Sequence, residues 1–535
     1  MPGSLTRPPS TSLRAWQRRA LVHLGDWREG PFLISAAPGA GKTRPALEYA
    51  SDLLSRRIVR RVVVLCPTTP LTRQWAAAAA ILGVQLQPDA PGPNPPRGDF
   101  HGVAVTYARV ASDPAGWAAK VAADTLVIVD EAHHLGEDLA WGTGFQRAFA
   151  GAPRWLLLSG TPFRSDATPI PGVRYDGDGL VVPDVSYTYA EAVADGICRP
   201  VAFVTFDGTL SWRSGEDVIE SSFETVLTAR EAGRRYRTAI STELPDGLPR
   251  ILREADARLR ALRGEGRHRD AGGLVVAADA AHARQIAKLL GETTGRAPVV
   301  VLHTEARAAR KLAEFRSSRE PWIVAVNMVS EGVDIPRLRV GVYASAAKTP
   351  LIFRQIVGRF VRTIPGTLPE ASWLYLPADR TLRTHASEVE MELRHALHRD
   401  EPEEGLEEQR ERRSASEPSP TAEFVPLSAE FAAQMTLFGP PQRTPSPAPE
   451  THSPPTPAPT PVAAFERRDD LRQERSRLVA ELHRRDGRSH REINAWVNRA
   501  VGVERVEGAN IKQLERSIET LVRELMRGSR SAAAR

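Results

Sequence analysis

Cysteine is nearly absent: Cys66 and Cys198 are the only two in 535 residues. That excludes a disulfide framework and a cysteine-rich zinc site, and a reducing cytoplasm is the expected setting. Lysine is scarce as well, six of the 71 basic residues. Positive charge is therefore carried by arginine, whose planar fork can give two hydrogen bonds to one phosphate. No apolar run approaches the length that spans a bilayer. Residues 1–12 hold no continuous apolar segment of the kind a signal peptide requires. What remains is a long chain, 41% hydrophobic, with a net charge of +6. It is too long for one core and suggests two or three domains. The charge permits a polyanionic partner without demanding one.

Short apolar runs bounded by turn residues recur at 32–35, 62–66, 125–129 and 155–158. Between them lie stretches with helical spacing, such as Ala46, Leu47, Ala50, Leu53 and Leu54. Buried strands alternating with helices indicate a parallel sheet covered on both faces. The pattern restarts at 274–277, 299–302, 322–326, 340–343 and 373–376. The spacing predicts an α/β protein of two tandem lobes, 1–205 and 268–400, with a helical bridge or insertion at 206–267. Residues 401–465 are acidic and then rich in Pro and Ser, a composition that cannot bury enough apolar surface to offset its ordering entropy. They read as a disordered linker. A small helical module follows at 466–535. Leu471, Leu478, Val479 and Leu482 suit one helix. Ser489 and Glu492 form a capping box ahead of Ile493, Trp496 and Val497. Leu514, Ile518, Leu521, Val522 and Leu525 suit a third helix.

The chemistry concentrates in two strings. A-A-P-G-A-G-K-T at 36–43 follows a strand and opens a helix. Glycines let backbone N–H groups turn inward around phosphate oxygens, and the helix adds the positive end of its dipole. Pro38, Gly39, Ala40 and Gly41 form the cradle for ATP, Lys42 takes the β- and γ-phosphates, and Thr43 ligates Mg²⁺. Position 36 is Ala where Gly is usual. Downstream, L-V-I-V-D-E-A-H-H at 126–134 ends a hydrophobic strand in two adjacent carboxylates. They fall at the edge where open α/β sheets bind ligands. Asp130 is suited to hold Mg²⁺ and Glu131 to orient the attacking water.

With these strings and others in the same order, residues 12–380 resemble the superfamily 2 helicases. The branch is that of type III restriction motors and DEAH-like DNA helicases. The resemblance implies two RecA-like lobes. L-R-A-W-Q at 13–17 is similar to the element that reads adenine, implying Gln17. C-P-T-T-P-L-T-R-Q-W at 66–75 and V-T-Y at 105–107 resemble backbone grips on nucleic acid, implying Thr68, Arg73 and Thr106, with His303 and Thr304 on the second lobe. L-S-G-T-P-F-R at 158–164 resembles the element linking hydrolysis to lobe movement, through Ser159, Thr161 and His133. S-E-G-V-D-I-P at 330–336 implies Gly332 near the phosphates and Asp334 near the ribose; Asn327 stands where many relatives carry Thr. Q-I-V-G-R-F-V-R at 355–362 resembles the arginine-finger helix, implying Gln355 in coupling and Arg359 and Arg362 in catalysis. Such a finger contributes about 10³–10⁵ in rate.

Q-M-T-L-F at 434–438 is similar to the short peptides that dock on a DNA polymerase sliding clamp. By that likeness Leu437 and Phe438 enter an apolar groove while Gln434 hydrogen-bonds at its rim. The expected activity is an ATP-dependent DNA helicase or translocase. An RNA helicase and an ATP-controlled binding switch without unwinding are the alternatives.

Overall fold

A computed structural model of the chain describes residues 13–90, 92, 98–137, 139–160, 169–177, 180–214, 216–264, 268–302, 305, 307–326, 335–364, 370–397, 424–435 and 463–532. Their described residues form two compact units. One gathers Met1–Ser35, Lys42–Ser186 and Glu450–Arg535; the other gathers Ala36–Gly41 and Tyr187–Pro449. Among the described residues no helix is long and apolar enough to cross a membrane.

The strands of the first half are β1 (Gly30–Ala36), β2 (Arg61–Cys66), β3 (Leu86–Pro88), β4 (Gly102–Thr106), β5 (Thr125–Asp130), β6 (Arg154–Ser159), β7 (Arg174–Tyr175), β8 (Val181–Val182) and β9 (Val185–Tyr187). Seven form one sheet in the order β3-β4-β2-β5-β6-β1-β9, and β7 pairs with β8. The pairings β3 with β4, β4 with β2, β2 with β5, β5 with β6 and β6 with β1 are all parallel. A central parallel strand is covered on both faces, so its sequence is apolar without alternation. Val62–Leu65 and Leu126–Val129 are accordingly buried at every position. The helix Thr43–Ser55 buries Ala46, Leu47, Ala50 and Leu53, as their spacing predicts. Because the strands are parallel, the loops after β1, β2, β4, β5 and β6 all leave from one edge of the sheet.

The helices Ala464–Asp486, His490–Val501 and Ile511–Ala532 close a small core of Val479, Leu482, Ile493, Val497 and Leu521. The predicted capping box is present, with the Glu492 N–H donating to Ser489 Oγ at 3.2 Å and the Ser489 N–H to Glu492 Oε2 at 2.8 Å. These helices are the small module expected at 466–535, and they belong to the first unit. The Ala464 N–H donates to Gln85 Oε1 and the Ile511 N–H to Asp99 Oδ2, at 2.9 and 2.8 Å. Arg468, 2% exposed, donates to the Ala509 carbonyl at 2.9 Å and lies over the Phe100 ring. Gln85, Asp99 and Phe100 precede β3 and β4, so the helices dock at the sheet edge opposite the one that carries the nucleotide motifs.

The second unit contains β10 (Val201–Ser214), β11 (Asp217–Ser221), β12 (Gly272–Ala277), β13 (Val299–Val301), β14 (Trp322–Val326), β15 (Leu338–Ala344), β16 (Ser372–Pro377) and β17 (Phe424–Met435). Their order is β11-β10-β16-β15-β12-β14-β13, with β17 added to β10. Two expectations are corrected here. The bridge at 206–267 is not wholly helical. Its first part continues β10 and returns as β11, and the helices Ala229–Ala239 and Leu248–Gly264 follow. The second unit therefore begins at Tyr187, not after 205. Within β10, Asp207 Oδ1 accepts the Gly208 and Phe223 N–H groups and the strand runs on.

Nor is 401–465 linker throughout. β17 runs antiparallel along β10 from Val204↔Met435 to Ser214↔Phe424, covering that edge. Pro426 sits opposite Trp212 where the register shifts, a place where a residue without an N–H is tolerated.

Candidate nucleotide site and nucleic-acid interface

The loop after β1 turns through Gly39 and Gly41 at φ of +80° and +86°, conformations that favour glycine. The Ala40 N–H closes the turn onto the Ala37 carbonyl at 3.0 Å. This loop groups with the second unit. There a Cβ on Gly358 would lie 2.9 Å from Pro38 Cβ, so only glycine lets the helix Pro350–Phe360 approach so closely. A Cβ on Gly39 would stand 3.2 Å from Arg362 Cγ, and the Cys198 thiol donates to the Pro38 carbonyl at 3.4 Å. Arg359 lies in the last turn of that helix, 7% exposed, with Gln355 half-buried one turn earlier.

In the first unit, Lys42 caps the helix that Thr43 begins, and its Nζ is 3.1 Å from Glu131 Oε1. Glu131 follows β5 at φ +53°, a left-handed conformation that a residue with a Cβ adopts only at a cost of about 1 kcal/mol or more. Its second oxygen accepts the Gly160 N–H at 3.3 Å. Burial alone would push the Glu131 carboxyl up; the Lys42 ammonium and the hydrogen bonds to it override that and hold it below the usual carboxylate range. Asp130 moves the other way. Burial raises it, and the neighbouring Glu131 charge raises it further. The Trp75 indole N–H donates to Asp130 Oδ2 at 2.7 Å, and the Tyr107 hydroxyl to the Asp130 carbonyl at 2.5 Å.

His133 and Ser159, expected to couple hydrolysis to movement, are hydrogen-bonded through Nδ1 and Oγ at 3.2 Å. Burial pushes the His133 imidazole down to about 3, so it is neutral at pH 7. Its 3.7 Å approach to Glu131 is then no ion pair.

The residues fit ATP with Mg²⁺. A loop with two left-handed glycines leads into a helix N-terminus, a lysine stands in the first turn, and a buried carboxylate is oriented by an indole. Among the described residues no cluster of three or more His, Cys, Asp or Glu could hold a metal by itself. Gln17 has a local role as well: its Oε1 accepts the Arg14 N–H at 2.9 Å in a capping box at the start of Ala15–Asp26.

The expected nucleic-acid contacts leave the same edge of the sheet. Thr68, after β2, is the N-cap of Thr69–Ile81, and Thr106, at the end of β4, caps Tyr107–Ala111 and accepts the Arg109 N–H at 3.3 Å. Arg73 is paired with Asp89 at 3.4 Å, an exposed contact of the kind worth about 0–1 kcal/mol. Thr161, His303, Thr304, Asn327, Gly332 and Asp334 lie outside the described residues, as do Leu437 and Phe438 of the clamp-like peptide. Gln434 of that peptide is paired through its backbone with Thr205 in β17, so it is not part of a free linker.

Trp75 and Tyr107, the two residues that hold Asp130, escaped the sequence reading. Trp75 closes the very string that yielded Thr68 and Arg73, and Tyr107 follows Thr106. Only the parallel packing of β2 and β4 beside β5 turns them toward Asp130.

A phosphate loop after the first strand, two carboxylates at and after the end of a central one, and a second parallel α/β unit are the layout of two RecA-like lobes. Residues 10–164 match the type III restriction enzyme res subunit, and residues 257–363 match the helicase conserved C-terminal domain. The two matched segments are of the superfamily 2 helicase type, the first of the type III res-subunit kind. The uncharacterized protein Rv2917 of Mycobacterium tuberculosis (strain ATCC 25618 / H37Rv) is 44% identical over 395 residues, covering 72% of this chain and 65% of that protein. The chain thus spans just under two thirds of that relative's length. Among solved structures, a fragment from Vibrio vulnificus YJ016 assigned as an HsdR subunit of a type I restriction enzyme is 17% identical, with a TM-score of 0.49, covering 71% of this chain and 67% of that one. S. cerevisiae Dbp5 bound to RNA and ADP BeF3 is 14% identical, with a TM-score of 0.44, covering 71% and 87%.

Proposed function

We propose that the chain is an ATP-driven DNA helicase or translocase of the cytoplasm, serving replication, repair, recombination or defence against phage. The observation that carries this reading is the shared sheet edge. Lys42, Asp130 and Glu131, the His133–Ser159 pair, and the helix caps Thr68 and Thr106 all lie at or just after the ends of strands β1, β2, β4, β5 and β6 of one parallel sheet. Nucleotide chemistry and polymer grip are then on neighbouring strands, and the hydrogen-bonded His133–Ser159 pair spans β5 and β6, beside the nucleotide groups. Restriction-enzyme kinship of the first lobe favours DNA as the polymer.

In the proposed cycle the loop N–H groups and Lys42 hold the phosphates. Glu131, kept ionised by Lys42, orients the water that attacks the γ-phosphoryl group. A magnesium ion held by Thr43 and Asp130 would neutralise charge on the phosphates. Arg359 and Arg362 supply positive charge as it develops on the transferring group. The approach of Arg362 to Gly39 supports that role. His133, neutral and bonded to Ser159, senses the loss of the γ-phosphate through Glu131.

The test is the ATPase rate of the full chain against single-stranded DNA, duplex DNA, forks and RNA, with strand displacement read in parallel. Stimulation by DNA with displacement supports a helicase, and stimulation without displacement a translocase. Stimulation by RNA alone, or by no polymer, overturns the DNA reading. Binding should weaken steeply with salt, because it runs through phosphates.

A further inference from the structure

Arg362 lies beyond the end of its helix: Pro350–Phe360 stops two residues earlier and Val361 is its C-cap. It is held from far away in the chain. Cys198 and Arg362 form an antiparallel bridge. The Arg199 N–H donates to the Val361 carbonyl at 2.7 Å, and the Thr363 hydroxyl donates to the Ile197 carbonyl at 2.9 Å. The three residues 197–199 thus grip the three residues 361–363.

The gripping segment is itself held. The Ile197 and Cys198 N–H groups both donate to the Ala192 carbonyl at the end of the helix Tyr189–Ala194, and the Tyr189 hydroxyl donates to the Arg199 carbonyl at 2.8 Å. The Arg199 guanidinium, 3% exposed, donates through Nη2 to the Pro336 carbonyl at 3.2 Å. Pro336 closes the string at 330–336 that resembles the nucleotide-touching loop. Burial pushes Arg199 down to about 9, which leaves it charged at pH 7. A charged group this deep is costly unless its geometry is held. One residue thereby ties the segment after that string to the segment that carries Arg362.

We propose that Ile197–Arg199 is a positioning strap for Arg362, setting where its guanidinium is delivered during turnover. The strap rests on the assignment of Arg362 as a stabilising arginine. Its physical basis is that a misplacement of about 1 Å can cost on the order of 10² in rate, so a long side chain acting on a reacting phosphoryl group needs a fixed backbone. Removing a strap bond should lower turnover without weakening ATP binding.

The experiment uses the full chain with Thr363→Val, Thr363→Ser, Tyr189→Phe and Arg362→Ala. Polymer-stimulated kcat, KM for ATP, fluorescent-nucleotide affinity and thermal unfolding are measured for each. Thr363→Val keeps the shape and removes the hydroxyl; kcat should fall by about three- to ten-fold, the size of one lost hydrogen bond, with KM and nucleotide affinity within about two-fold. Tyr189→Phe should fall in the same direction. Thr363→Ser retains the donor and should restore most of kcat. Arg362→Ala should bind nucleotide and lose stimulated turnover. If Arg362→Ala is inactive while Thr363→Val and Tyr189→Phe turn over normally, the strap is wrong and the arginine assignment stands. If Arg362→Ala turns over normally, both fall. Equal losses in Thr363→Ser and Thr363→Val, or losses that track nucleotide affinity and unfolding temperature, reduce the strap to ordinary packing.

Discussion

Replacing Trp75 with Phe removes one hydrogen bond and little else from the metal side of the site. The indole N–H lies 2.7 Å from Asp130 Oδ2, Trp75 is 2% exposed and Asp130 8%. A hydrogen bond to a charged group contributes about 1.5–3 kcal/mol. At about 1.4 kcal/mol per factor of ten that is roughly ten- to a hundred-fold in an equilibrium constant. The same range, about 10–100-fold in metal affinity, is typical when a group orienting a metal-binding side chain is removed. The assay is polymer-stimulated ATPase titrated with Mg²⁺. The half-saturating Mg²⁺ concentration should rise by about ten- to a hundred-fold, with most of the maximal rate recovered at saturation. Tyr107→Phe is the control, since it removes a bond to the Asp130 carbonyl and leaves the carboxylate donor in place. It should destabilise the chain by about 1–3 kcal/mol through an unsatisfied buried carbonyl, with the Mg²⁺ midpoint unmoved. An unchanged midpoint in Trp75→Phe would refute the view that the indole orients a metal-binding carboxylate.

Glu131→Gln should abolish turnover while nucleotide stays bound, because an amide keeps the shape and loses the charge that orients water; single-turnover hydrolysis with a filter-binding assay reads both. His133→Ala breaks the bond to Ser159 and should leave unstimulated hydrolysis measurable while polymer stimulation falls by about five-fold or more, the effect of one lost buried hydrogen bond; a proportional loss of both rates would count against coupling. Arg468→Met removes the donor to the Ala509 carbonyl and the cation over Phe100. It should loosen the terminal helices from the first sheet. Faster amide exchange in residues 464–532 and near Gln85 reports that, and unchanged exchange would show that the docking rests on other contacts.

Much of this was legible because parallel sheets write themselves into local sequence. The apolar runs at 32–35, 62–66, 125–129, 155–158, 274–277, 322–326, 340–343 and 373–376 each lie within a strand. A strand buried on both faces has no alternation to obscure it. The phosphate loop was legible for a similar reason, since its glycine positions demand left-handed backbone that the structure shows at Gly39 and Gly41. Edge strands were not legible. β10 runs into the segment expected as a helical bridge and β17 lies in the segment expected as linker, and their pairing depends on a partner more than 200 residues away.

Sequence alone located the candidate nucleotide residues, because the side chains proposed for phosphate, metal and water lie in short contiguous strings whose spacing follows from one strand, one turn and one helix. Tertiary structure alone decided what orients those groups. Trp75 reaches Asp130, Ile197 reaches Thr363, and the terminal helices seat on Gln85 and Asp99, each across a separation that no local periodicity records. Backbone geometry is a property of neighbours in the chain, whereas a buried hydrogen bond belongs to whichever groups the packed sheets bring within about 3 Å.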